Sequence, residues 1–245
     1  MKPYYQDESV TIYHGDMFDV LPTLRGIGAV ITDPPYSSGG AFRGDRAMST
    51  TAKYVNSDTA AYRPEFAGDN RDQRSFLAWS ALWLNAARVA SLPGAVLCSF
   101  IDWRQLPTLT DAVQAGGWTW RNVATWWKPG IRMVRGSFSS SAEYVVYATN
   151  GPADNDHDGA VQNVFRSAPV KAKEHIAEKP ADVMQWVCSV VPPNSIVLDP
   201  FMGSGTTLVA AKAKGHVAIG IEVDERYCEI AARRCSQETL DLGAA

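Results

Sequence analysis

Asp33-Pro34-Pro35-Tyr36 is the stretch whose residue types and spacing best suit chemistry on one small group. It follows Ala29–Thr32, an apolar run that reads as a strand, so it falls at a strand's carboxyl end, where open α/β sheets build their sites. The two prolines fix the backbone and carry no N–H, which leaves their carbonyls free to face a ligand. Asp33 offers acceptor oxygens and Tyr36 an aromatic face. An exocyclic amine on a nucleobase is a poor nucleophile, because its lone pair is delocalised into the ring. Acceptors on both of its hydrogens, from the Asp33 carboxylate and the Pro34 carbonyl, would favour a tetrahedral nitrogen with a localised lone pair. Tyr36 would stack on the base. Taken alone, the tetrapeptide reads at least as well as a turn that ends a strand.

The second stretch is Asp199-Pro200-Phe201-Met202-Gly203-Ser204-Gly205-Thr206-Thr207, placed between a strand and a helix. Gly203 and Gly205 let the backbone approach a ligand, and the helix start beyond them favours an anion. A dinucleotide fingerprint needs a third glycine where Leu208 stands, and no Gly-Lys-Ser/Thr of a phosphate loop is present. A carboxylate, such as that of a methionine moiety, fits this turn better than a pyrophosphate. Glu222 closes the next strand, where an acid bonds two ribose hydroxyls.

Both stretches need a sheet beneath them. Runs rich in β-branched residues predict strands at Val10–His14, Ala29–Thr32, Ala95–Phe100, Thr119–Trp126, Glu143–Ala148, Ser195–Leu198 and Val217–Glu222. Helices are predicted at Gln73–Ala90, Trp103–Ala115, Lys179–Val190, Thr206–Lys214 and Asp224–Ser236. Gly94 and Gly116-Gly117 read as turns or helix caps between these elements. Their alternation predicts an α/β, doubly wound, Rossmann-like sheet with helices on both faces, in a single domain spanning 1–245. Ser37–Asp72 and Asn150–Gly159 read as irregular and polar. A loop as long as the first is unusual in a compact domain and is often functional.

Composition narrows the class. The chain has 245 residues, 46% hydrophobic and 20% charged, which suits a globular domain rather than a disordered one. No apolar run reaches the roughly 18 residues of a membrane span, and no apolar leader follows Met1, so a cytoplasmic protein is expected. Cys98, Cys188, Cys228 and Cys235 form no C-x-x-C and are expected to be reduced and packed. The scattered histidines suggest no metal. The net charge of −3 argues against a wholly basic nucleic-acid binder. However, Ala112 to Ala142 holds Arg121, Lys128, Arg132 and Arg135 and no acid. This is either a chance cluster on a solvated face or a patch that holds DNA.

Taken together, the two stretches resemble the amino-group DNA methyltransferases, which modify adenine N6 or cytosine N4. The resemblance covers most of the chain. D-P-P-Y is similar to the family's catalytic motif, and D-P-F-M-G-S-G-T-T to its S-adenosylmethionine motif. Here the catalytic motif comes first, which resembles the β subgroup and implies a seven-stranded methyltransferase sheet in circularly permuted order. His175-Ile176-Ala177-Glu178-Lys179-Pro180 is similar to the family's H-x-x-x-K-P segment.

The resemblance implies roles residue by residue. Asp33, Pro34, Pro35 and Tyr36 would be catalytic. Lys179 would reach the methionine carboxylate, and Asp16 of Gly15-Asp16 would face the cofactor adenine. Asp199 would orient the amino-acid end, with Phe201, Gly203, Ser204, Gly205 and Thr206 around it, and Glu222 would hold the ribose. On their own residues, Lys179 is as readily a surface lysine before a helix-starting proline, Asp16 an ordinary helix cap, and Phe201 a core residue. Ser99-Phe100 and Trp103 border the implied pocket, with core packing the stronger reading for the two aromatics.

The family's larger members carry a long recognition segment. Only 37–72, with Arg43 and Arg46, and 128–141, with Lys128, Arg132 and Arg135, are available here to contact DNA. The implied partners are double-stranded DNA, a second copy of the chain, and a cognate restriction endonuclease. The implied reaction is direct transfer to a flipped-out base, with adenine preferred because Asp opens the motif, whereas N4 enzymes more often have Ser. Cytosine-C5 chemistry is excluded, since it uses a cysteine nucleophile in a Pro-Cys pair that the chain lacks. A silent cofactor-binding DNA module is the alternative from another class.

Overall fold

β3 (Ile27–Thr32) is buried along its whole length, as expected of a strand covered on both faces rather than one. It lies in the middle of a nine-stranded sheet in a computed structural model that describes residues 1–36, 71–131, 133–153, 160–169 and 179–237. The other strands are β1 (Tyr5–Gln6), β2 (Val10–His14), β4 (Ser91–Ile101), β5 (Thr119–Trp127), β6 (Ala142–Thr149), β7 (Val164–Arg166), β8 (Ile196–Asp199) and β9 (Val217–Glu222). Their spatial order is β1-β2-β9-β8-β3-β4-β6-β5-β7. From β2 to β4 all neighbours are parallel; β6 enters antiparallel between β4 and β5.

All seven predicted strands are present, and two short ones extend the edges: β1 antiparallel on β2, and β7 parallel on β5. Two or three residues are too few to show a period. Gly94, expected as a turn, lies inside β4, with φ of +80° and its N–H bonded to the Asn150 carbonyl at 2.8 Å. The left-handed backbone that made it look like a turn is here a kink within the strand.

Among the described residues six α-helices cover the sheet: α1 (Met17–Val20), α2 (Gln73–Ala90), α3 (Leu106–Ala115), α4 (Ala181–Cys188), α5 (Thr206–Ala213) and α6 (Glu225–Ser236). Asp72 starts α2 by accepting from Arg74 and Ser75 N–H at 3.0 and 2.9 Å, and Asp224 caps α6 in the same way. α4 begins at Ala181, after Pro180, rather than at Lys179. α1, α2 and α3 bury Val20, Phe76, Trp83, Leu84 and Leu109 against Val30, Leu97 and Leu198. α4, α5 and α6 bury Val183, Val187, Leu208 and Cys228 against Ala29, Ile31, Val96 and Val197. The four cysteines are free and buried, and Cys228 and Cys235 share that second core. Among the described residues no helix is long and apolar enough to cross a membrane, and no group of three His, Cys, Asp or Glu side chains could hold a metal ion.

The chain leaves β3 outward to β4, and leaves β8 outward in the other direction to β9. β3 and β8 are therefore the neighbours where the winding reverses, the place where open α/β sheets form a binding crevice at their carboxyl ends.

Candidate active site

That crevice joins the two motifs. Thr32 and Asp199 are 167 residues apart in sequence, yet the Thr32 hydroxyl donates to Asp199 Oδ1 at 2.7 Å. The Phe201 N–H donates to the same oxygen at 3.0 Å, and the Thr207 hydroxyl also bonds the carboxylate. Asp199 is 2% exposed. Burial lifts its pKa to about 6, with the hydrogen bonds opposing the rise and the nearby Asp33 charge adding to it. The ordinary value is 3.8, so the native state takes up a proton that the unfolded chain releases, and it loses stability as pH climbs through that interval. Asp199→Asn should remove this slope. Urea denaturation of the ligand-free protein should show it more stable than the parent above pH 6, by up to about 3 kcal/mol.

Asp33 follows β3 and is half-buried; Pro34 is buried, and Tyr36 is half-buried against the core. The Lys179 ammonium donates to Asp33 Oδ2 at 2.5 Å and lies 3.4 Å from Glu143 Oε2. Lys179 is therefore neither on the surface nor an unengaged cation: it is 8% exposed and sits 5.3 Å above the Phe100 ring. Burial pushes its pKa down, but the Asp33 and Glu143 carboxylates outweigh burial and hold it above the ordinary lysine range. His175 and the rest of 170–178 lie outside the described residues.

The glycine turn is built as much for packing as for approach. Gly203 and Gly205 have φ of +52° and +82°. A Cβ on Gly205 would lie 2.8 Å from Ala231 Cβ in α6. Gly205→Ala is therefore expected to cost roughly 2–4 kcal/mol, from left-handed strain plus overpacking, read as a lowered urea midpoint. Ser204 is buried; its hydroxyl and carbonyl accept from the Arg234 guanidinium at 2.9 and 3.1 Å, so α6 braces the loop. Thr206 starts α5 and is half-buried. Phe201 packs between Trp79 and Trp83, both ring centroids 5.3 Å away, which is the core contact its residue type suggested.

Glu222 ends β9 beside this turn. Its carboxylate accepts from the Gly203 N–H at 3.0 Å and the Asp224 N–H at 2.9 Å. Burial raises its pKa, and those bonds resist the rise. Across the parallel register, His14 pairs with Glu222, which brings Gly15-Asp16 to the same edge. Asp16 caps α1 through Phe18 N–H at 2.8 Å. Ser99 pairs in register with Thr32; it is fully buried, and its hydroxyl has no hydrogen-bond partner among the described residues. Trp103 is 54% exposed and stands away from the core.

The basic stretch 128–141 joins β5 to β6. Lys128 turns inward at its foot, where its ammonium meets Glu143 Oε1 at 2.9 Å and its backbone N–H bonds the Ser141 carbonyl at 2.8 Å. Arg135 is exposed, as are Met133, Val134 and Phe138. Arg43, Arg46 and Arg132 lie outside the described residues. Three residues that shape the site carried no motif: Thr32, Glu143 and Arg234. Only Glu143, an acid in an otherwise apolar strand, left a signal in the sequence.

A permuted, doubly wound sheet with an acidic D-P-P-Y corner beside a glycine turn defines a methyltransferase-type nucleoside site. The chain belongs to the DNA methylase family of N6 and N4 methyltransferases, whose model matches residues 27–166 and 154–233. A type II methyltransferase of Lactococcus lactis subsp. cremoris, M2.LlaDCHI, is 24% identical over 260 residues, covering 96% of this chain and 93% of that protein. Solved structures share the fold. The M1.HpyAVI–SAM complex superposes with a TM-score of 0.65 at 22% identity, covering 93% of this chain and 100% of that one. PvuII DNA methyltransferase (cytosine-N4-specific) gives 0.70 at 16% identity, covering 100% and 91%.

Proposed function

We propose that this site-specific DNA methyltransferase moves a methyl group from S-adenosylmethionine to N6 of an adenine flipped out of double-stranded DNA. One observation carries the reading: the Asp33 corner and the Asp199 turn share one crevice, bridged by Thr32. The residues present fit the cofactor. Glu222 offers acceptors for ribose hydroxyls, and the buried Ser99 hydroxyl, in register with Thr32, has no hydrogen-bond partner among the described residues. Asp199 and the turn from Phe201 through Gly203, Ser204 and Gly205 to Thr206 take the amino-acid end, with Ser204 acting from behind. Asp16 stands at the adenine edge. An ammonium has three donors; among the described residues one goes to Asp33 and Glu143 is an ion-pair neighbour at 3.4 Å, which leaves Lys179 a donor to offer the methionine carboxylate. When bound, S-adenosylmethionine supplies a methyl group on a sulfonium, a good leaving group.

The chain's own residues supply orientation. Asp33 and the Pro34 carbonyl accept from the two amine hydrogens and aim the nitrogen lone pair, while Pro35 holds the turn rigid. Tyr36 stacks on the base and offsets part of the few kcal/mol that flipping costs. No covalent enzyme intermediate forms, so alignment supplies much of the acceleration. Arg135, with Arg132, Arg43 and Arg46, contacts the DNA backbone, and Lys128 steadies the foot of that loop. A homodimer and a cognate endonuclease are part of the same reading.

N4 of cytosine is the second reading, since the family takes in both N6 and N4 enzymes; Asp33 in place of Ser opposes it. Thermal melting tests the cofactor assignment. S-adenosylmethionine at about 100 times its Kd should stabilise the protein by about 2.7 kcal/mol, and NAD not at all. Stabilisation by NAD alone would overturn the assignment.

A further inference from the structure

Lys128, Glu143, Lys179 and Asp33 form a chain of alternating charge that none of the recognised motifs accounts for. Its links are 2.9, 3.4 and 2.5 Å, and the side chains are 14, 19, 8 and 19% exposed in that order. The four residues come from four different places: the end of β5, the second residue of β6, the residue before Pro180, and the end of β3. The charges sum to zero, so the group is neutral as a whole although each member is shielded from water. A lysine stem with four rotatable carbons does not fix its own ammonium. Here three neighbours fix it: Asp33 in front, Glu143 behind, and the Phe100 ring beside it.

We propose that Glu143 is a positioning residue for methyl transfer. Anchored by Lys128, it holds the Lys179 ammonium against Asp33 Oδ2, and so fixes the carboxylate that orients the target amine. This rests on the catalytic role given to Asp33 above. The carboxylate has one productive orientation, and an error near 1 Å in such a group costs on the order of 100-fold in rate.

The titration behaviour agrees. Burial pushes the Glu143 pKa up, but Lys179 and Lys128 outweigh burial and hold it below the ordinary range. Among the described residues the groups facing Lys179 are Asp33 after β3, Glu143 on β6 and Phe100 on β4. Beyond them, Lys128 stands behind Glu143 and Asp199 beside Asp33. Removing the Glu143 charge takes away one of the two carboxylates that raise the Lys179 pKa, so the ammonium loses its proton at lower pH.

The test compares Glu143→Gln, Glu143→Asp and Asp33→Ala in the full chain, with kcat, KM for DNA, Kd for S-adenosylmethionine and the pH profile of kcat. Glu143→Gln should lower kcat, measured at saturating cofactor, by about 10- to 100-fold, with KM for DNA within about threefold and any rise in Kd for S-adenosylmethionine smaller than the fall in kcat. Its alkaline limb should move to lower pH, and Glu143→Asp should recover part of the loss. Parental kcat in Glu143→Gln, alongside an inactive Asp33→Ala, overturns the positioning role alone. A loss of kcat that tracks melting temperature, with no shift of the alkaline limb and no rescue by Asp, shows a merely structural ion pair and also overturns it. An active Asp33→Ala overturns the catalytic reading itself, and the positioning role with it.

Discussion

Asp33→Ala should reduce methyl transfer to DNA by roughly 1,000-fold or more, about 4 kcal/mol of transition-state stabilisation, while S-adenosylmethionine binds within a few-fold of its normal affinity. The carboxylate stands at the end of β3, next to the strand that leads into the glycine turn, and in the proposed mechanism it accepts from the target amine. Without it, one hydrogen of the amine lacks an acceptor and the lone pair stays conjugated with the ring. The fold should survive, because Lys179 keeps Glu143 as a partner. Asp33→Asn is the companion variant. It retains a carbonyl oxygen but not the charge that pairs with Lys179, and it should fall between the two. Single-turnover assays read the first quantity and calorimetric titration of the cofactor the second. Near-normal turnover in Asp33→Ala would remove Asp33 from the chemistry.

Glu222→Ala should give the opposite pattern, with cofactor Kd raised by roughly 100-fold or more and kcat at saturating cofactor little changed. Two hydrogen bonds from ribose hydroxyls to a charged acceptor are worth about 1.5–3 kcal/mol each. Part of the loss is indirect, because the Glu222 carboxylate also holds the Gly203 N–H and therefore the shape of the turn. Glu222→Gln keeps one acceptor oxygen and should recover some of the affinity. Cofactor titration of both variants checks this, and a Kd within a few-fold of the parent in Glu222→Ala would place the ribose elsewhere.

Much of the scaffold was legible because its strands are short apolar runs rich in β-branched residues. Val10–His14 and Val217–Glu222 are such runs, and both strands match their predicted bounds. The edge strands β1 and β7 were not legible, since neither has enough residues for a pattern. The D-P-P-Y and glycine-turn motifs stand out because their residue types are unusual together. Lys179 shows where such reading stops. Its place before Pro180 suggested a surface side chain, whereas the packing sets it between two carboxylates. Nothing local to Lys179 names Glu143, because the partner arrives from a distant strand. Gly205 is similar: its neighbours in sequence suggested ligand approach, and its neighbour in space is Ala231.

The central claim is methyl transfer to the exocyclic amine of a DNA base, with adenine as the base. Nucleoside mass spectrometry on unmethylated double-stranded DNA, incubated with the purified protein and S-adenosylmethionine, tests it most directly. The predicted result is N6-methyldeoxyadenosine that disappears with Asp33→Ala. N4-methyldeoxycytidine in its place would contradict the choice of base. The absence of any methylated nucleoside, from protein that binds the cofactor, would contradict the claim itself.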